Sequence, residues 1–288
     1  MNFLSGVTKI AYLGPGGSYC EMAKDEFMDK YDIYPQEEPL NMISRVVDFV
    51  DDNPGSIGVI PLENSIEGTV RESSDTLIKT KNPNIRILSE IIIPIHHCLL
   101  SKVTELYSIT GVISHPQALA QCHKFIAEKL PRNLAIINAT STADAARSLD
   151  SYNLTYSAIG SRKTAQLYNL NIICENINDD PTNQTRFAII GDYDTPITGN
   201  DKTSIAFSTE NKSGALLEIL EIFSKYNINL SYIDSRPSKT KFGEYTFHVD
   251  FDGHIKDDII SKAIKELQEK SSFFKFVGSY EKYVPKQQ

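Results

Sequence analysis

The first two-thirds of the chain alternates short apolar segments with longer segments whose apolar residues recur at helical spacing. Residues 9–14, 56–60 and 111–114 are examples of the first kind and predict buried strands. Residues 18–31 and 116–130 are examples of the second kind and predict amphipathic helices. Strands that alternate with helices form a sheet covered by helices, so we expect an α/β domain over residues 1–195.

The sequence changes character after residue 195. Residues 196–202 are polar and rich in turn formers, which predicts a linker. Residues 203–288 then predict the order strand, helix, strand, strand, helix, strand. This order is typical of a ferredoxin-like βαββαβ unit, so two domains are expected.

The composition excludes several classes of function. The chain has 29 Lys and Arg against 37 Asp and Glu, a net charge of -8, which argues against binding to nucleic acids or to anionic membranes. No apolar run approaches the roughly 20 residues that span a bilayer, and the first seven residues lack the features of a secretory signal. Four scattered cysteines without a CxxC pair suggest neither a zinc site nor disulfides. We therefore expect a cytoplasmic protein without a metal.

Several predicted strands of the α/β domain are followed at once by small polar residues and a helix. These turns are residues 14–18, 64–69, 114–117, 140–142 and 160–161. In an open α/β sheet such turns gather where ligands bind, and helix N-termini there attract anions. The simpler alternative is that their Ser and Thr side chains only cap helices.

One further segment stands out, because the polar run 176–184 enters an apolar strand through Thr185 and Arg186. The arginine could pair with a carboxylate while the threonine donates a hydrogen bond beside it. The alternative is a surface ion pair at the start of a strand. The His96-His97-Cys98 run does not predict a metal site, since neighbouring side chains on a strand point to opposite faces.

Taken together, these segments resemble the prephenate dehydratase family over nearly the whole chain. The resemblance rests on YLGPGGSYCEMA (12–23), GVIPLENSIEGTV (58–70), SHPQALAQC (114–122), NQTRFAIIG (183–191), SGALLEIL (213–220) and DSRPSK (234–239). It implies a two-lobed catalytic domain like that of periplasmic binding proteins, followed by an ACT regulatory domain. Lobe one would comprise about residues 1–92 and 172–195, and lobe two about residues 93–171.

The resemblance also implies an activity, the decarboxylative dehydration of prephenate to phenylpyruvate in phenylalanine biosynthesis, without a cofactor. Thr185 would then donate a proton or hydrogen bond to the leaving hydroxyl group. Arg186 would hold a carboxylate directly or by ordering its loop, and Phe187 would form an apolar wall. The remaining substrate-binding residues would be Ser18, Asn64, Ser65, Glu67, His115, Gln117, Thr140 and Ser141.

In the second domain the resemblance implies a phenylalanine-binding site that inhibits the enzyme. Its residues would be Asn211, Gly214, Ala215, Leu216, Asp234, Ser235, Arg236 and Pro237, where Asp234 replaces the usual glutamate of the family. The alternative for residues 213–216 is a plain helix start. Phenylalanine would bind between two ACT domains, which predicts a homodimer or a homotetramer.

Other functions stay open at this point. Arogenate, which carries an amine where prephenate has a ketone, is the alternative substrate. A non-catalytic amino-acid sensor or a solute-binding protein is the alternative of a different class. Only eight residues precede Lys9, so we expect no mutase unit before the dehydratase.

Overall fold

The computed structural model describes residues 3–80, 82–238 and 244–285. Within these residues the strands are β1 (Lys9–Leu13), β2 (Gln36–Leu40), β3 (Ser56–Asn64), β4 (Gly68–Thr69), β5 (Arg86–Pro94), β6 (Cys98–Ser101), β7 (Gly111–Ser114), β8 (Ala135–Asn138), β9 (Tyr156–Gly160), β10 (Asn171–Cys174), β11 (Gln184–Gly191), β12 (Asp201–Ser208), β13 (Leu230–Pro237), β14 (Tyr245–Asp252) and β15 (Phe273–Glu281). The α-helices are α1 (Tyr19–Tyr31), α2 (Ile43–Asp52), α3 (Arg71–Lys79), α4 (Pro116–Gln121), α5 (His123–Lys129), α6 (Thr142–Ser148), α7 (Arg162–Leu167), α8 (Ala215–Lys225) and α9 (Asp258–Lys270).

The α/β part of the chain consists of two sheets, one in each lobe. The first has the order β2-β1-β3-β11-β5, with β4 beside β3, and the second has the order β10-β6-β9-β7-β8. The chain passes from the first sheet to the second between β5 and β6, and it returns between β10 and β11. These two crossovers confirm the predicted two-lobed α/β fold. Lobe two extends to residue 174, slightly beyond the expected boundary, because β10 pairs with β6.

The middle strands of lobe one are buried on both faces. The apolar residues of β3 and β11 pack against α1 on one face and against α2 and α3 on the other. Continuous apolar runs are typical of strands covered in this way. Strand β2 escapes prediction from the sequence because residues 36–40 are polar and lie at the edge of the sheet.

The third sheet confirms the predicted βαββαβ unit. Its strands are antiparallel in the order β13-β14-β12-β15, and α8 and α9 pack on one face. The other face packs on lobe one, where β15 lies against β5. Gly278 makes this approach possible, because a Cβ atom there would lie 2.3 Å from the carbonyl oxygen of Ile87. Among the described residues we find no helix that is both long and apolar enough to cross a membrane.

Candidate active site

A cleft of about 390 Å³ lies between the two lobes. Eight predicted site residues line it, namely Ser18, Asn64, His115, Gln117, Thr140, Ser141, Thr185 and Phe187. The described residues that line the cleft include no Lys, Arg, Asp or Glu. The cleft therefore offers hydroxyl, amide and imidazole groups to a ligand, but no formal charge.

Thr185 is held by the side-chain amide of Asn64. The Asn64 Oδ1 atom accepts hydrogen bonds from the backbone N–H groups of Ile66 and Glu67, both at 3.1 Å. Because Oδ1 faces these two donors, the Nδ2 atom is the one that donates to Thr185 Oγ1, at 2.9 Å. Thr185 accepts this bond, so its own hydroxyl proton is available to a group in the cleft.

The capping alternative is correct for several turn residues, which nonetheless face the cleft. Ser18 Oγ accepts from the backbone N–H of Glu21 at 3.3 Å, and Ser141 Oγ accepts from that of Asp144 at 3.0 Å. His115 Nδ1 faces the N–H of Gln117 at 3.3 Å, so a neutral His115 carries its proton on Nε2. Burial lowers the pKa of His115, which favours this neutral form.

Ser65 and Glu67 do not line the cleft, although both were predicted to bind substrate. Ser65 Oγ accepts from the backbone N–H of Gln184 at 3.0 Å and so supports the loop between β3 and β4. Glu67 is exposed and lines a groove of about 300 Å³ with residues 234–237 of the third sheet. The turn closed by Asn64 Oδ1 directs the residues that follow away from the cleft.

Arg186 is also absent from the cleft, because neighbouring side chains on a strand point to opposite faces. Its Nη1 atom donates to Asp250 Oδ2 of the third sheet at 2.6 Å and lies 3.5 Å from Glu90 Oε2. The guanidinium carbon lies 5.6 Å from the ring centroid of Tyr232. Burial alone would lower the pKa of Arg186, but the two carboxylates outweigh it and raise that pKa above its ordinary value. The prediction of a direct grip on substrate does not fit this position. The alternative of a surface ion pair fits no better, since the side chain is only 14% exposed.

Sequence reasoning did not assign His97 and Gln121, which line the cleft, or Asn183, whose side chain bonds to Gln121. Gln121 Oε1 accepts from Asn183 Nδ2 at 3.1 Å and lies 3.3 Å from His97 Nε2. Burial lowers the pKa of His97 to about 4, so its imidazole is neutral near pH 7. Gln121 and Asn183 stand inside the motifs quoted above, which was the available signal. His97 was weighed only as a metal ligand, and the described residues contain no cluster of three or more metal-ligating side chains.

The predicted phenylalanine-binding residues lie in two segments of the βαββαβ unit. Residues 211–214 are exposed before α8, with Gly214 at the N-cap in a left-handed conformation (φ 83°) and Ala215 buried behind it. Residues 234–237 end the edge strand β13, where Arg236 Nε donates to Asp234 Oδ2 at 2.8 Å. Ligand binding by these residues stays a prediction.

Comparison with known proteins gives the family of this chain. The prephenate dehydratase family model matches residues 10–195, and the ACT domain model matches residues 203–269. The chain is a member of the prephenate dehydratase family. Prephenate dehydratases are lyases, and this one carries a C-terminal ACT domain.

Individual prephenate dehydratases and their relatives agree with this assignment. The prephenate dehydratase of Methanocaldococcus jannaschii is 39% identical over 94% of this chain and 97% of its own length. Arogenate dehydratase 1 of Petunia hybrida is 36% identical over 94% of this chain and 66% of its own length. The crystal structure of the Arthrobacter aurescens prephenate dehydratase in complex with L-Phe has a TM-score of 0.85 and 31% identity, over 95% of this chain and 90% of that one.

Proposed function

We propose that this chain converts prephenate to phenylpyruvate, carbon dioxide and water in the cleft between its lobes. The observation that carries the proposal is the orientation of Thr185. Its hydroxyl oxygen accepts a hydrogen bond from Asn64, so its proton can be donated to a group in the cleft, whose described lining carries no formal charge.

The reaction requires little covalent chemistry from the protein. The electron pair of the bond to the leaving carboxylate enters the ring, which becomes aromatic, and the ring expels its hydroxyl group with the electrons of the C–O bond. The departing hydroxide takes a proton and leaves as water. Thr185 would stabilise this oxygen by donating a hydrogen bond in the transition state. A threonine hydroxyl is too weak an acid to be the final proton source, so solvent supplies the proton in the end.

The uncharged lining suits the loss of carbon dioxide. A cation beside the carboxylate would stabilise the substrate before the reaction, and this stabilisation would be lost as the negative charge moves into the ring. Such a cation would therefore raise the barrier to the loss of carbon dioxide. The described lining has no such cation. We propose that the neutral donors His115, Gln117 and Ser141 hold the substrate carboxylates, whereas Ser18, whose hydroxyl donates to the backbone carbonyl oxygen of Leu13 at 3.0 Å, orders its turn. Phe187 would pack against the ring, and Thr140, whose hydroxyl donates to Asp144 at 2.9 Å, would order the turn.

The same lining favours prephenate over arogenate. Arogenate carries an ammonium group, and a buried ammonium requires a carboxylate or several strong acceptors. No carboxylate lines the cleft in the described part of the chain. We therefore expect a higher kcat/KM for prephenate, measured for both substrates side by side; a higher value for arogenate would contradict this preference.

The test of the activity is the pair Thr185→Ala and Thr185→Ser, assayed by the ultraviolet absorbance of phenylpyruvate in alkali. Loss of the hydroxyl should lower kcat by at least about 100-fold, whereas serine keeps the donor and should retain most of it. If wild-type protein binds prephenate without turning it over, the chain is a binding protein and the proposal is wrong.

We propose further that residues 1–195 form the catalytic domain and 203–288 the regulatory domain. The predicted linker, residues 196–202, is shorter than expected and ends at residue 200, because β12 begins at Asp201. Phenylalanine would bind residues 211–216 and 234–237 at an interface between two ACT domains and inhibit the enzyme. The groove shared by Glu67 and residues 234–237 supports this, because the regulatory segment lies against the loop that follows Asn64. Calorimetry at millimolar phenylalanine should show binding, and light scattering should show a dimer or tetramer. An absence of binding heat would refute the regulatory role.

A further inference from the structure

We propose that His97 and Asn183 are positioning residues that fix the side-chain amide of Gln121 across the two lobes. The inference rests on the proposed function, because it concerns the same cleft. Gln121 belongs to lobe two, whereas Asn183 directly precedes β11 of lobe one. His97 lies in the crossover between β5 and β6. The three side chains are buried and meet where the lobes join.

The orientation of each amide follows from backbone donors, whose positions are fixed. Asn64 Oδ1 accepts from two backbone N–H groups, so Asn64 Nδ2 donates to Asn183 Oδ1, at 2.7 Å. Asn183 then presents its Nδ2 atom to Gln121, whose Oε1 atom must be the acceptor, at 3.1 Å. Every step leaves one choice, because an amide oxygen cannot donate and an amide nitrogen cannot accept.

The same reasoning fixes the tautomer of His97. Its Nε2 atom lies 3.3 Å from Gln121 Oε1, so Nε2 carries the proton and donates. The Nδ1 atom then carries no proton; the Tyr19 hydroxyl lies 3.4 Å from it and donates to the backbone carbonyl oxygen of His96 at 2.8 Å. Gln121 Oε1 thus receives two donors, one from each side. The Nε2 atom of Gln121 is buried and has no hydrogen-bond partner among the described residues, and the Gln121 side chain lines the cleft.

This arrangement assigns a purpose to the unpaired amide nitrogen. With its oxygen held by His97 and Asn183, Gln121 can present only N–H donors to an occupant of the cleft, which suits a carboxylate or ketone oxygen. Without His97 the Gln121 oxygen keeps only the hydrogen bond from Asn183, so the amide is held less firmly in this orientation. His97 therefore acts through Gln121.

The chain offers a matched control, because His96 is exposed whereas His97 is buried. We expect His97→Leu to lower kcat/KM at least about tenfold and His96→Leu to leave it unchanged. His97→Gln places an amide N–H near the former Nε2 position and should stay within about threefold of wild type. Equal activity of His97→Leu and wild type would overturn the proposal, as would equal losses in His97→Leu and His97→Gln. We expect His97→Leu to fold because leucine fills the buried site without adding a polar group, and we expect His97→Gln to fold because it keeps a hydrogen-bond donor there. Circular dichroism of both variants checks this.

A double-mutant cycle distinguishes positioning from a general structural effect. If His97 acts through Gln121, adding His97→Leu to Gln121→Met should cause little further loss, whereas independent roles give losses that multiply. A readout that needs no activity is nitrogen-15 NMR of histidine-labelled protein, which should show His97 protonated on Nε2. Protonation on Nδ1 would refute the assignment even if turnover is normal. A wild-type chain without turnover would refute the proposed function and leave this tautomer measurement standing on its own.

Discussion

Asp250→Asn tests whether the ACT sheet holds the strand that carries Thr185. The change keeps the shape of the side chain and the acceptor for Ser204, whose hydroxyl donates to Asp250 Oδ1 at 2.6 Å. It removes the charge that faces Arg186, in a pair whose side chains are 14% and 6% exposed. The nearest remaining carboxylate belongs to Glu90, 3.5 Å from Arg186 Nη1.

The size of the effect follows from that geometry. Removing one partner of a buried ion pair costs about 3–5 kcal/mol, because the other charge stays buried. Glu90 still compensates part of the charge of Arg186, so we expect the lower end, about 3 kcal/mol of unfolding free energy. We also expect phenylalanine to inhibit the variant less, since the contact between the ACT sheet and β11 is weakened.

The assay is urea unfolding, together with kcat at increasing phenylalanine concentrations. Lys275→Met is the matched control, because Lys275 Nζ donates to the carbonyl oxygens of Ile78 and Thr80 at the same interface but away from β11. The control should keep its phenylalanine inhibition. A loss below about 1 kcal/mol in Asp250→Asn, with inhibition unchanged, would show that the pair with Arg186 does not connect the two domains.

Three further predictions address other parts of the molecule. Burial lowers the pKa of His97 from its ordinary value of 6.5 to about 4 in the folded protein, so the free energy of unfolding should fall by about 3 kcal/mol as the pH drops from 6.5 to 4. Urea unfolding of His97→Gln at pH 7 and pH 4 should show that this contribution is gone. Gly278→Ala should separate β15 from β5, because its Cβ would meet the Ile87 carbonyl oxygen, and faster proteolysis between the domains should report this. Lys163 of lobe two forms an ion pair with Glu21 of lobe one at 2.9 Å, a contact that we expect to help the lobes close. Lys163→Met should then raise KM a few-fold with less effect on kcat, and an unchanged KM would argue against that role.

Much of the fold follows from patterns that act over short distances. Apolar runs and helical spacing predict the strands and helices of the α/β domain, and the order of elements predicts the βαββαβ unit. Strand β2 escapes because residues 36–40 are polar, and its place at the sheet edge is set by pairing with β1. Such pairing depends on contacts between distant segments, which a local pattern does not contain.

The site was predictable in part for the same reason. Strand alternation alone implies that Thr185 and Arg186 point to opposite faces, so their shared assignment to substrate was avoidable. The partner of Arg186 was not predictable, since Asp250 lies 64 residues further along the chain. The links from Asn64 to His97 likewise join segments that meet only after folding.

The alternation on β11 continues beyond Thr185. Phe187 and Ile189 belong to the cluster around α1, whereas Ala188 and Ile190 belong to the cluster that includes Val277 and other residues of the ACT sheet. Odd and even positions of one strand therefore belong to different neighbourhoods. We therefore expect substitutions at odd-numbered positions of β11 to change turnover, and substitutions at even-numbered positions to change the regulation of turnover. Deletion of one residue from β11 would move every following side chain of the strand to the opposite face.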